Sequence, residues 1–220
     1  MPTRADIAAT VADMLARSDL GEQIRAEIVL AVEHLNRVGG FPFQEARAGT
    51  ITTAAGVRFY ASVDFTSGEG SAALGVVPAS SILDIHYARI ENGASWWPMD
   101  VLPYATFEDL SQGSPGGVPT SLTRYADRIG VWPTPSGVST VEVSATIKPT
   151  VPETDEAESV WFDFARELVE ARVAGAVALK YARDAGAAQM FRAVAASAEA
   201  ALSLDAARRN GTGRIRPTSF

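Results

Sequence analysis

A chain of 220 residues, 47% hydrophobic and 20% charged, reads as globular and has room for one large domain or two small ones. A formal net charge of −7 argues against a nucleic-acid coat over the whole surface, because phosphate binding needs clustered Lys and Arg; only a local basic patch stays open. With no cysteine, disulfides, thiolate metal sites and a cysteine nucleophile are excluded.

The first fifteen residues carry Asp6 and Asp13 and no long apolar core, so they do not read as a secretory signal. Thr3 with Asp6 resembles a capping box, and Ile7, Val11, Met14 and Leu15 then share one helical face. Ser18-Asp19 breaks this helix, and Asp19 with Glu22 can cap a second, whose stripe is Ile24, Ile28, Ala31 and Leu35. Gly39-Gly40 and Pro42 end it. No run of about 18 apolar residues occurs, so no membrane span is expected.

The period then changes. Val57, Phe59, Ala61, Val63 and Phe65 alternate with polar neighbours, which predicts one strand with one apolar face. Residues 68–75 are glycine-rich but lack the Lys-Ser/Thr of a phosphate loop and lead into Val76-Val77-Pro78, so a hairpin tip is expected. Ile82 to Ile90 is a second strand. Trp96-Trp97-Pro98 is expected on an edge, because proline cannot donate to a ladder. Thr106 with Asp109 can cap a short helix through Leu110. Arg124 to Trp132 and Val138 to Lys148 are expected to pair as a hairpin around residues 133–137. In the second arm Val141, Val143, Ala145 and Ile147 face one way and Glu142, Ser144, Thr146 and Lys148 the other.

Pro149 and Pro152 mark a return to helix, with Asp155 and Glu158 as its expected cap. Trp161, Phe164, Leu168, Ala171, Gly175 and Leu179 form a third stripe, which Gly186 breaks. Met190, Phe191, Val194, Ala198, Ala201 and Leu202 form a fourth. The expected fold class is therefore α+β: a four-helix body made of N- and C-terminal helix pairs, with an inserted antiparallel β module and an extended C-terminal arm. The boundaries read 1–40 and 151–208 for the two halves of the body, 41–150 for the β module and 209–220 for the arm.

Residues suited to catalysis are few. His34 and His86 are the only histidines and stand at no metal-ligand spacing. A triad using His86 and Asp84 lacks a G-x-S-x-G elbow, and an i, i+2 pair on a strand more often reflects a polar surface. The acids Glu153, Asp155, Glu156 and Glu158 suit a solvated helix start. Trp96, Trp97, Tyr104, Phe107, Tyr125 and Trp132 are dense in the β module; they can fill a core, anchor an interface or stack on a ligand. The tail carries Arg208, Arg209, Arg214 and Arg216 with no acid after Asp205, and Ile215 and Phe220 as apolar anchors. It reads either as a frayed terminus or as a docking arm whose guanidinium forks meet a partner's carboxylates.

The segment from Trp97-Pro98 to Leu110, the run Gly117 to Pro135 (GVPTSLTRYADRIGVWPTP), Lys148-Pro149, Trp161, the Ala-rich helical hairpin and the basic arm together resemble the bacteriophage head-to-tail adaptor family, also called head completion or tail accessory proteins. The loop from Ser67 to Ser80 is longer than that pattern. The resemblance implies a structural protein, not an enzyme, with no cofactor. It implies a homo-oligomeric ring, commonly of twelve subunits, at the head–tail junction of a virion assembled in the host cytoplasm. The arm (Arg208, Arg209, Arg214, Ile215, Arg216, Phe220) would bind the portal protein. The β module (Trp96, Trp97, Tyr104, Trp132) would meet a tail tube, nozzle or stopper protein. DNA would pass through the channel without specific binding, and an acidic chain suits that passage. The competing expectations are a virion-carried glycan hydrolase using Asp100 and Glu108, and a carbohydrate-binding module using Trp96, Trp97 and Trp132.

Overall fold

The computed structural model describes residues 2–38, 41–65, 75–110 and 116–210. In chain order the elements are α1 (Arg4–Leu15), α2 (Gly21–Val38), β1 (Glu45–Thr52), β2 (Phe59–Tyr60), β3 (Ser62–Phe65), β4 (Gly75–Pro78), β5 (Ile82–Asn92), β6 (Ser95–Val101) and α3 (Tyr104–Leu110). They continue with β7 (Ser121–Tyr125), β8 (Arg128–Trp132), β9 (Thr140–Ile147), α4 (Val160–Phe164), α5 (Arg166–Val177), a π turn (Ala178–Ala182) and α6 (Ala185–Asn210). Contacts divide the chain into two units: residues 1–43 with 149–220, and residues 44–148.

The helical unit begins with the expected capping box, in which the Thr3 N–H donates to the Asp6 carboxylate at 2.8 Å and the Asp6 N–H to Thr3 Oγ1. Ile7, Val11, Ile24, Ile28 and Leu35 are fully buried, Leu15 and Ala31 are partly buried, and Val32 joins them from outside the expected stripe, but Met14, expected on the same face, is exposed. Asp19 does not cap α2; its carboxylate takes both nitrogens of an Arg17 fork at 2.7 Å. The third stripe is broken. At Ala165 the backbone leaves the helical region (φ −136°, ψ 32°), which separates α4 from α5 and resets the phase of the buried face. Phe164 and Leu179, both expected inside, are exposed, while Phe162, Val169, Val173 and Val177 are buried. Ser159, not Asp155, caps α4, its hydroxyl accepting from the Trp161 N–H. The break before α6 falls at Arg183 (φ 56°), three residues before Gly186, and Asp184 Oδ1 accepts from the Ala187 N–H.

One bridge holds the two ends of this unit together. Trp161 Nε1 donates to Asn36 Oδ1 at 2.7 Å, and Asn36 Nδ2 donates to the Pro149 carbonyl at 2.9 Å, all in the buried interior. Phe41 and Phe43 meet the Trp161 ring edge-on at 5.4 and 4.9 Å, and Phe43 stacks on Phe164. Phe41 and Phe43, before the β unit, thus pack on Trp161 directly, and Pro149, after it, is tied to the same tryptophan through Asn36. The π turn places the adjacent Lys180 and Tyr181 on one carboxylate, that of buried Glu27, with Lys180 Nζ at 2.8 Å.

The second unit is a nine-stranded sheet in the order β2-β8-β7-β6-β5-β9-β1-β3-β4. Every pairing is antiparallel except β6 with β7. The parallel pair exists because the chain crosses over through α3 before β7 begins. Val141, Val143, Ala145 and Ile147 are buried as their alternation requires. The expected hairpin of residues 124–132 with 138–148 does not form. Ala126 (φ 51°) turns the chain inside the first of those segments, so β7 pairs with β8 across it, and β9 instead lies between β5 and β1. The expected strand from Val57 to Phe65 is likewise two: β2 pairs with β8, whereas β3 pairs with β1 and β4.

These findings overturn the expected fold class. Among the described residues there are six α-helices rather than four, one of them in the sheet unit, and a large mixed sheet rather than a small antiparallel module. The physical causes are the helix break at Ala165, the crossover through α3 and the turn at Ala126.

Candidate interaction surfaces

The sheet exposes aromatic rings where β5 and β6 run past the core as a hairpin, with Gly93 (φ 63°) and Ala94 at its tip. Adjacent residues of a strand point to opposite faces, so Trp96 and Trp97 lie on different sides. Trp97 stands opposite Ile90 on the core side yet is 51% exposed. Trp96 stands opposite Glu91, is 40% exposed, and lies under the Arg89 guanidinium at 4.6 Å from the ring centroid. Glu142 on β9 holds that guanidinium at 2.8 Å, which keeps Arg89 protonated above its ordinary range.

Pro98 shows why this stretch tolerates a proline. The Asp100 N–H donates to Thr120, on the side of β7, so by the two-residue period the nitrogens of Pro98 and Trp96 also face away from β5. Pairing of β6 with β7 spans only Asp100 and Val101. The missing N–H of Pro98 therefore falls on a stretch of strand with β5 as its one ladder partner among the described residues. The expected edge is right for this half of β6 and wrong for the other half, which lies inside the sheet.

The other predicted aromatics stand apart. Tyr104 on α3 stacks on Tyr125 of β7 with centroids 3.8 Å apart. Loss of water around it, then the nearby Glu108 carboxylate, pushes the Tyr104 hydroxyl above its ordinary pKa. Trp132 closes β8, separated from β6 by β7; it is half-buried and its Nε1 has no hydrogen-bond partner among the described residues. Phe107 is core. The structure thus brings Trp96 and Trp97 together on one hairpin but does not gather the four into a single patch. A flat sugar-stacking platform from Trp96 and Trp97 conflicts with their opposite facing.

Glu108 binds Arg58 at 3.1 Å, while Asp100 is exposed on β6. His86 Nε2 lies 2.6 Å from Thr146 Oγ1 and its Nδ1 lies 3.6 Å from Asp84, a row reminiscent of a triad. Thr146, however, is a buried residue of the β5–β9 ladder. Among the described residues no group of three or more His, Asp or Glu could hold a metal ion.

A second apolar surface was missed by the sequence reading. On α6, Ala188, Phe191, Ala195, Ala198 and Leu202 turn inward, at spacings of three and four. Met190, Val194, Ser197, Ala201 and Leu204 repeat the same spacings and are exposed, Met190 at 55% and Leu204 at 60%. The single expected stripe is two stripes on neighbouring faces, and the signal was this doubled periodicity. Arg208 and Arg209 lie in the last turn of α6, and Arg214, Ile215, Arg216 and Phe220 lie outside the described residues.

The SU10 adaptor protein family matches residues 2–218. The chain belongs to that family. Its role is accordingly that of a bacteriophage adaptor, a structural component of the virion, and such a family implies no enzymatic activity. The match takes in both units and reaches past Arg216. No curated protein matches the chain. Among the described residues no helix is long and apolar enough to cross a membrane.

Proposed function

We propose that the protein is the head-to-tail adaptor of its phage. It forms a ring, of twelve copies by the resemblance above, between the portal and the tail. There it completes the head and continues the DNA channel in the neck of a virion put together in the host cytoplasm. The observation that carries this reading is the family match over nearly the whole chain. The boundaries at 1–40, 41–150, 151–208 and 209–220 then divide the labour: a helical body builds the ring, the β module serves the tail side and the arm serves the portal. Three features support it. The outward stripe of α6 offers each subunit a small-residue, apolar face for its neighbour. The guanidinium groups of Arg208, Arg209, Arg214 and Arg216 suit carboxylates on a portal, with Ile215 and Phe220 as anchors. A net charge of −7 lets DNA slide by unheld.

Co-sedimentation with purified portal tests the arm. A chain lacking Gly211 onward should keep the far-UV spectrum of the full chain and lose portal binding. Equal binding by the truncated and full chains would refute the docking arm.

A further inference from the structure

We propose that the β5–β6 hairpin is a wedge that inserts, through Trp96 and Trp97, into an apolar cleft rimmed by Lys and Arg on the tail-side protein. This inference rests on the adaptor reading and specifies the chemistry of its tail contact.

Three observations carry it. First, the hairpin presents indole rings on both faces, so its natural receptor is a cleft with two apolar walls rather than a flat patch. Isolated exposed apolar residues are ordinary, but two adjacent tryptophans at a turn are the residue type that dominates interface energetics. Second, Trp96 is already held. The Arg89 guanidinium covers one side of its ring, and Glu142 fixes that guanidinium. A side chain ordered before binding loses less freedom on binding. Third, the unpaired charge on the two strands is acidic, with Glu91 beside the tip and Asp100 towards the far end of β6. Arg89 is neutralised by Glu142, whereas Glu91 and Asp100 are exposed and have no ion-pair partner among the described residues. A cationic rim complements them and discriminates against acidic partners.

Pro98 settles the mode of contact. Strand addition along β6 would need outward-facing donors, and Pro98 supplies none where its neighbour Trp96 supplies one. The backbone thus discourages an added strand, and recognition falls to side chains. Sugar stacking is disfavoured by the opposite facing of the rings.

The test uses tailless, DNA-filled heads of the same phage, full-length protein and purified tails. Two variants are compared with the wild type: Trp96→Ala/Trp97→Ala, and the charge swap Glu91→Lys/Asp100→Lys, whose sites are exposed and do not touch the core. Both variants should join the heads as the wild type does. Tail joining should then fall roughly thirtyfold or more for the tryptophan variant. For the charge swap it should fall most at low salt, with the gap narrowing as salt rises. Variants that enter heads and join tails at the wild-type level would overturn the wedge and leave the adaptor reading standing. Wild-type protein that never enters heads would overturn both. Retention of the wild type, but not the tryptophan variant, on purified peptidoglycan would assign the hairpin to a glycan and overturn the protein cleft.

Discussion

Asn36→Leu removes both halves of a buried bridge at once. The Trp161 N–H loses its acceptor at 2.7 Å and the Pro149 carbonyl loses its donor at 2.9 Å, and both groups remain buried. A buried polar group left unpaired costs about 1–3 kcal/mol, so the two together cost about 2–6. Leucine returns roughly 1–1.5 kcal/mol through added apolar burial. The net expected loss is about 0.5–5 kcal/mol, with a midpoint near 3, against the roughly 5–15 kcal/mol that holds a typical domain folded. Urea unfolding followed by circular dichroism at 222 nm reads it, because the bridge lies in the helical unit. Asn36→Asp separates hydrogen bonding from packing. Its carboxylate still accepts from Trp161 but offers Pro149 nothing, and burial raises its pKa. A raised folded-state pKa on an acid means that the folded state binds more protons, so this variant should gain stability as pH falls from 7 towards about 4. At low pH its protonated oxygen can donate to Pro149. No loss, or a gain, for Asn36→Leu, or a pH-independent deficit for Asn36→Asp, would refute the bridge as a stabilising contact.

Three further outcomes follow from other parts of the chain. Gly49→Ala builds a Cβ against the Phe65 ring and within 2.7 Å of Val63, so it should destabilise the sheet unit by about 1–3 kcal/mol in thermal or urea unfolding. Asp155 is held below its ordinary pKa of 3.8 by the hydrogen bond from Arg4, then by the Arg25 charge. Its contribution is therefore complete above about pH 4 and is lost as pH falls through the lower folded-state value; the stability gap between wild type and Asp155→Asn should be open at pH 7 and close in acid. Val194→Glu/Leu204→Glu changes only exposed positions of α6, so melting temperature should hold while the number of copies retained on a portal falls, as counted by gel densitometry or electron microscopy.

What was legible in the sequence is what neighbours in the chain decide. The Thr3–Asp6 box, most of the two early stripes and the apolar face of β9 each depend on residues within a few positions, and they are found as read except for exposed Met14. What was not legible depends on choices among distant partners. The alternation of Val141 to Ile147 says that one face is buried but not that the neighbours are β5 and β1. A turn at Ala126 carries no glycine or proline to announce it, so β7 and β8 looked like one strand. Ala165 is a good helix former in a helix-rich segment with no local stop signal, so nothing nearby announced the break. The aromatic residues of the β unit were visible as a composition, but their separation into a hairpin, a tyrosine stack and a half-buried Trp132 came only with strand order.

The distribution of polar and apolar groups explains why this chain suits assembly better than chemistry. Its well-formed polar contacts tie together segments far apart in sequence: Arg4 and Arg25 to Asp155, Asn36 to Pro149 and Trp161, Glu27 to Lys180, and Arg172 to Glu199. Groups already committed to such contacts are poor nucleophiles and poor general bases, since moving them costs the contacts they make. Exposed apolar side chains, by contrast, include the indoles of the β5–β6 hairpin and the outer stripe of α6. A helix with two apolar faces is half-satisfied by its own chain, because α5 covers one face. The tryptophan pair of the hairpin is also only half covered. Water penalises both until another molecule covers them, and an adaptor, whose work begins when neighbours arrive, is a protein in which such exposure is an asset.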